Sequence, residues 1–246
     1  MEREQPVGEI VEHWTSRVHP RADARCHARE GQYCRLELLD SKTDEMTLRQ
    51  LFEVFKPTEQ THFTYLRYGP FTSLDEFKQF VRMREQPSND TVLYTVLVKD
   101  VAVGFISYLR VNPEHGTIEI GNVNFSERLA RTRQSTESIY LLLELAFDVL
   151  GYRRVEWKCN ALNGKSRRAA IRLGFQYEGT WLKAEIVKGR SRDNAWYSMV
   201  DDEWSSVKRE FQRWLNPANF DADEQQLTKL SAAEVNPRQA KTVLTC

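Results

Sequence analysis

Three strand-like runs, Val92 to Val98, Ala102 to Arg110 and Gly116 to Asn124, follow one another with only Lys99-Asp100 and Asn112 to Gly116 as turns between them. Such short connections fit antiparallel neighbours and make the three runs a meander. A strong helical period then runs from Gln134 to Leu150, stopped by Gly151, and the strand Arg154 to Cys159 comes immediately after it. A meander that flows into a strand-helix-strand-helix unit requires a mixed sheet with helices on both faces, so the fold class is α+β.

The flanks fill in around that centre. Tyr33 to Leu39 alternates as a half-buried strand. A helix from about Thr43 to Phe55 follows, with Asp40 or Ser41 as its cap, Met46, Leu48, Leu51, Phe52 and Phe55 as its apolar face, and Pro57 as its stop. Ser73 and Glu76 have capping-box spacing ahead of a helix bearing Phe77, Phe80 and Val81. Asn163 opens the helix SRRAAIRL, which Gly174 closes. Strands Tyr177 to Lys188 and Asn194 to Val200 flank the turn GRSRD, and a helix with Trp204, Val207, Phe211 and Trp214 ends the pattern. At 246 residues, one core is the simplest reading. Residues 1–32 read as an arm that folds against the body, 33–215 as the domain, and 216–246 as a polar, mobile tail.

Several function classes drop out. No apolar run reaches the ~18 to 20 residues that span a bilayer, and the start MEREQPVGEI lacks the apolar core of a signal peptide, so a cytoplasmic address without membrane attachment is expected. Lys plus Arg balances Asp plus Glu at 35 each, which leaves no overall field to hold nucleic acid. Cys26, Cys34, Cys159 and Cys246 form no CxxC and read as reduced thiols. The five histidines show neither HxxxH nor HExxH, so no metal is expected. There is no GxSxG elbow, and Gly164-Lys165-Ser166 lacks the opening glycine of a phosphate loop because position 159 is Cys.

The charge that matters is local. Between Gly151 and Arg192 there are eleven Lys or Arg against three Asp or Glu, which points to an anionic ligand or partner. Single members of such a cluster are more often solvated faces. Arg128, Arg131 and Arg133 precede the helix beginning near Gln134, where free backbone N–H groups and the positive dipole end favour phosphate. Plain capping by Ser135 or Thr136 is the structural alternative.

Strand EIGNVNF, a crossing loop, a helix beginning near STES, strand RRVEWKC, Asn-x-x-Ser, a helix and Leu-Gly-Phe at 173 to 175 together resemble the GNAT superfamily of acyl-CoA N-acyltransferases, within its RimJ/RimL-like branch. YLRYGPF, YRRVEWKCNALN, SRRAAIRLGF, EGT at 178 to 180, and KGRSRD followed by Trp196 mark one subgroup, and the resemblance covers about Tyr33 to Leu215. It implies a splayed mixed sheet that binds acetyl-CoA as co-substrate where the strands at 116 to 124 and 154 to 159 part. It implies that backbone N–H groups about Val123, Asn124 and Phe125 polarise the thioester, and that Arg131, Arg133, Gln134, Ser135 and Thr136 meet the pyrophosphate. The usual Gln/Arg-x-x-Gly-x-Gly/Ala loop is altered: Ala130 falls at its first position, Arg133 at the glycine and Ser135 at the small residue. The resemblance further implies that Asn163 contacts the pantetheine arm, that Lys165, Arg167 and Arg168 around the same turn meet the CoA phosphates, and that Ser166 is the branch's substitute near the sulfur. The tyrosine many relatives use as acid is replaced by Ala170.

Glu119, between Ile118 and Ile120, matches the branch's proposed base, and a carboxylate among apolar neighbours has the raised pKa that role needs. A salt-bridged strand residue is the structural alternative. On the acceptor side, His62, Phe63, Tyr65, Tyr68 and Phe71 with Trp181 and Trp196 can wall a pocket, Tyr65, Tyr68, Trp181 and Trp196 being the chosen lining. The expected activity is direct acetyl transfer from acetyl-CoA to a primary amine of a small molecule or peptide N-terminus, in a ternary complex, by a monomer or homodimer. A non-catalytic CoA-binding or sensing module is the alternative, motivated by the lost glycine and tyrosine.

Overall fold

In the computed structural model, residues 11–86 and 89–238 are described. Ile10, the tail beyond 238 and Cys246 lie outside them. One eight-stranded sheet organises the chain: β1 (Ala28–Glu30), β2 (Arg35–Leu38), β3 (Val92–Val98), β4 (Val101–Asn112), β5 (Thr117–Phe125), β6 (Arg154–Asn160), β7 (Gln176–Val187) and β8 (Arg190–Val200) lie in the order β1-β2-β3-β4-β5-β6-β8-β7. Every neighbour pair is antiparallel except β5 with β6. The meander and the mixed sheet read from the sequence are both present.

Alternation along the strands divides the core. Tyr94, Ile106, Ile118, Val155, Trp157, Tyr197 and Met199 point to one face, under α4 (Arg133–Glu144), α5 (Gly164–Arg172) and α6 (Asp201–Leu215), which add Leu142, Ala170 and Phe211. Leu93, Leu97 and Phe105 point to the other, under α1 (Glu45–Glu53) and α3 (Leu74–Arg84), which add Leu51, Phe77, Phe80 and Val81. Between α1 and α3 lies the short α2 (Glu59–His62). Helices α1 and α3 cover only the β3–β4 end of their face. The β5–β8 end is left to polar side chains, and the site lies there.

Several local expectations shift for physical reasons. Asp44, not Asp40 or Ser41, caps α1, accepting the Thr47 N–H at 3.0 Å. Met46, expected on the apolar face, is two residues from Leu48 and so lies on the far side of the helix, 70% exposed. Thr132 caps α4, which therefore starts at Arg133, and its last turn widens into a π segment, Leu145–Val149. The GRSRD turn is mostly strand: β8 begins at Arg190, so β7 and β8 form a long hairpin.

Both ends of the described chain return to the body. Trp14 Nε1 donates to the Glu114 carbonyl at 2.7 Å, Arg17 Nε to that of Gly151 at 2.7 Å, and β1, unforeseen in the arm, pairs with β2. Past Asn216, Phe220 packs on Trp214 at 5.1 Å between ring centroids, Leu230 and Ala232 are buried, and α7 (Ala232–Val235) leads to Asn236, whose amide donates to the Gly174 carbonyl at 2.9 Å. The polar composition of this segment conceals those few anchors.

Candidate active site

β5 and β6 are paired at only three positions, Thr117 with Arg154, Ile118 with Val155 and Glu119 with Glu156. Beyond them β5 continues to Phe125 paired with β4 alone, while β6 continues to Asn160 paired with β8 alone. The two neighbours therefore part immediately after Glu119, and Val123 to Phe125 sit on the unshared stretch.

Glu119 is at the fork and is only 2% exposed. Burial pushes its carboxyl up to about 7, against the pull of Arg110, Lys158 and Arg67 and with some help from Glu156. Arg110 Nη2 stands 2.6 Å from Glu119 Oε2 and 2.9 Å from Glu156 Oε2, bridging the two acids. Leu109 pairs with Glu119 and so shares its face; regular alternation would send Arg110 to the opposite one. The irregularity between Leu109 and Asn112, with Arg110 in left-handed backbone at φ 44°, turns the guanidinium back toward Glu119. Gly121 leaves the room the carboxylate uses, because a Cβ there would lie 3.2 Å from Glu119 Oε1.

Register extends this face. Glu156, Lys158 and Asn160 of β6 stand beside Ser198, Trp196 and Asn194 of β8. The Trp196 ring has Arg110 at 4.3 Å and Lys158 at 5.2 Å, and its centroid lies 4.5 Å from that of Trp181. Trp181 is 61% exposed. These two tryptophans are therefore brought together as expected, but with cations rather than apolar walls around them. Burial lowers the Lys158 pKa.

The segment 61–71 and the β7–β8 hairpin close over the same face. Lys188 Nζ donates to the carbonyls of Phe63 at 3.0 Å, Tyr68 at 3.3 Å and Gly69 at 2.8 Å, while Arg192 Nη1 donates to that of Tyr65 at 2.9 Å. Arg67 pairs with Glu185, which also accepts from Asn194 Nδ2 at 3.0 Å. Burial alone would raise Glu185, but Arg67, Asn194 and Lys158 hold it lowered to about 2. Replacing Lys188 by Met is expected to cost about 1 kcal/mol and to speed amide exchange in 63–69 by roughly tenfold, as measured by hydrogen exchange. Unchanged exchange would remove this clamp.

Tyr65 reaches across with its hydroxyl to the Leu162 carbonyl at 3.3 Å and so bridges to the turn after β6. Tyr68 has a different place from the one expected. Its ring packs on Phe80 at 4.5 Å and its hydroxyl, with a pKa raised by burial, accepts from Asn124 Nδ2 at 2.7 Å. Asn124 Oδ1 meets His62 Nε2 at 3.1 Å. The fully buried Asn124 side chain is thus spent tying α2 and the 61–71 segment to β5, leaving only its backbone for a ligand.

On the opposite face, Asn163 caps α5 by accepting the Ser166 N–H at 3.2 Å. Ser166 Oγ accepts from Trp157 Nε1 at 3.0 Å. Lys165 and Arg167 are both exposed, and Arg167 donates to Tyr197 Oη at 3.1 Å and the Ala161 carbonyl at 3.3 Å. Glu119 and Ser166 therefore flank the fork from its two sides.

At the start of α4, Thr132 Oγ1 accepts the Ser135 N–H at 3.2 Å. The left-handed backbone a glycine would favour falls at Arg131, φ 67°, an exposed residue, and not at Arg133. Arg133 is engaged: it lies 4.2 Å over Tyr33 and 5.3 Å over Phe220, and pairs with Glu224 at 2.6 Å. Gln134 is half-buried, Ser135 returns its hydroxyl to the Thr132 carbonyl at 2.7 Å, and buried Thr136 accepts from Arg172 Nη1 at 3.1 Å. Among the basic residues at these two helix starts, Arg128, Arg131, Lys165, Arg167 and Arg168 are exposed, and Arg133 is half-buried.

Sequence reasoning missed Arg110, Lys158, Glu185 and Arg192 as members of the site. Alternation along β6 from Glu156 could have given Lys158; Arg110 depends on a bulge that periodicity does not encode.

Comparison with known proteins agrees with this architecture. The acetyltransferase (GNAT) domain family matches residues 35–176. A GCN5-related N-acetyltransferase from Brucella melitensis shares 37% identity, covering 89% of this chain and 97% of that one, with a TM-score of 0.81. A probable GNAT-family acetyltransferase from Chromobacterium violaceum shares 39%, covering 83% and 100%, with a TM-score of 0.73. The uncharacterized N-acetyltransferase p20 of Bacillus licheniformis is 25% identical over 175 residues, 66% of this chain and 97% of its own length. With a forked sheet of this topology and a family match over most of its body, the chain belongs to the GNAT acetyltransferase family.

Proposed function

We propose that this chain is an acetyl-CoA-dependent N-acetyltransferase of the RimJ/RimL-like branch, transferring acetyl directly to a primary amine in a ternary complex. The observation that carries the reading is the fork itself: β5 and β6 part after three paired residues, with a buried carboxylate on one side and a hydroxyl on the other. Bound acetyl-CoA would supply an activated acetyl group on a thiolate leaving group. Arg131 and Lys165 face its phosphates, Asn163 its pantetheine arm, and the backbone of Val123 to Phe125 its carbonyl. Glu119 takes the proton that an ammonium acceptor must lose before nitrogen can attack, and Ser166 faces the departing sulfur. Tyr65, Trp181 and Trp196 border the acceptor's side.

Acetyl-CoA at a hundredfold excess over its Kd is expected to stabilise the folded chain by about 2.7 kcal/mol, which raises Tm by roughly 5 to 10 °C. No shift at millimolar acetyl-CoA overturns the reading. The Glu224 contact at Arg133 and the loss of the family's tyrosine to buried Ala170 favour a second reading, a CoA-binding module without turnover. Thiol release from acetyl-CoA across a panel of amines and peptides separates them, since a pure binder shows the Tm shift and releases none.

A further inference from the structure

We propose that Trp157 is a positioning residue that fixes Ser166 as a hydrogen-bond donor to sulfur. This rests on the reading that coenzyme A occupies the fork with its sulfur near Ser166. Indole N–H has no acceptor capacity, so in the 3.0 Å contact between Trp157 Nε1 and Ser166 Oγ the serine is obliged to accept. The backbone N–H of Ser166 is already taken by Asn163 Oδ1 at 3.2 Å. What remains is one hydroxyl proton. A serine in a first helical turn commonly returns that proton to a carbonyl of its own helix, as Ser135 and Ser138 do in α4. Ser166 makes no such bond among the described residues. Within the chain its hydroxyl acts on the Cys159 thiol, partly offsetting the rise that burial imposes there, and it turns from that sulfur to the coenzyme's when coenzyme A is bound.

The arrangement is therefore a rigid donor above a sulfur. Trp157 is 4% exposed, on β6, with its ring packed 5.6 Å from that of Phe175. Cys159 is two residues along the same strand and faces the same side. The charged groups that act on the neighbouring Cys159 thiol are Arg167 on α5, Arg192 on β8 and Glu119 on β5, and Arg167 is already bonded to Tyr197 Oη at 3.1 Å. Accepting from Trp157 polarises the Ser166 O–H and strengthens its donation. In transfer, the C–S bond breaks as the N–C bond forms, nitrogen gives up a proton, and sulfur leaves as a thiolate that Ser166 stabilises until it takes up that proton. Serine is neither consumed nor left charged.

The test needs no acceptor amine. Coenzyme A is bound to the full chain and its thiol is titrated by ultraviolet thiolate absorption. The bound thiol is expected to titrate about one unit below that of free coenzyme A. Ser166→Ala and Trp157→Phe should each move it back by half a unit or more, and Trp157→Phe in the Ser166→Ala background should move it no further. Coenzyme A that binds with the same thiol pKa in wild type and Trp157→Phe overturns the proposal, as does a further shift in the double variant. Coenzyme A that fails to bind the wild type overturns the underlying reading instead. Should Trp157→Phe not fold, the indole N–H proton resonance that Ser166→Ala displaces is followed in wild type. It should move with the thiol titration, and a resonance that stays fixed sinks the proposal.

Discussion

Replacing Glu119 by Gln lowers kcat by about 100- to 10,000-fold, the range that positioned proton transfer supplies. KM for acetyl-CoA is expected to change little, because in the proposed mechanism this side chain serves the acceptor and not the coenzyme. Wild-type turnover rises with pH through about 7, where burial has moved the Glu119 carboxyl, and the Gln variant loses that limb. A pH–rate profile of the two proteins checks both points, and an unchanged acid limb in the variant removes Glu119 from the base role. The same shift enters stability. An unfolded glutamate titrates near 4.5 and the folded Glu119 near 7, so the native state holds more protons between these values. Its favourable contribution is full below about 4.5 and is lost as pH rises through about 7. Denaturant unfolding at pH 5 and pH 8 should show a smaller loss of stability on raising pH in Glu119→Gln than in wild type.

Glu137→Ala has the largest expected effect on folding. This 3% exposed carboxylate, in the first turns of α4, accepts the backbone N–H groups of Gln32, Tyr33 and Cys34, each at 2.7 Å. It serves three backbone N–H groups of the turn between β1 and β2 at once. Gly31 permits the approach, since a Cβ there would lie 2.6 Å from Glu137 Cδ. Removing the carboxylate leaves three donors unsatisfied at a cost of roughly 3 to 5 kcal/mol, which should drop Tm by roughly 6 to 20 °C. Gln, which keeps one acceptor oxygen, should lose less. A Tm within two degrees of wild type for the Ala variant would show that water takes over the three N–H groups.

The contrast between these two glutamates shows what a sequence displays. Glu119 is legible because Ile118 and Ile120 point to the opposite, fully buried face, and the alternation of β5 carries the acid to a definite side. Glu137 looks like any acid near a helix start, favourable to the dipole and solvated; only the return of residues 32–34 to that spot gives it a purpose. The meander, the crossover helix and the closing hairpin were legible for the same reason as Glu119: their periods are long and regular. β1 was not, because three residues, Ala28 to Glu30, adopt strand geometry only by pairing with β2. Arg110 was hidden by a bulge, and the grip of the chain past Asn216 by the scarcity of its anchors, Leu230, Ala232 and Asn236.

Side chains of alternating sign run from the fork to the last of the described residues: Glu119, Arg110, Glu156, Arg154, Glu178, Arg238 and Glu203, each in contact with the next. Ionic strength weakens the exposed middle links first and the contact of buried Glu119 with Arg110 least.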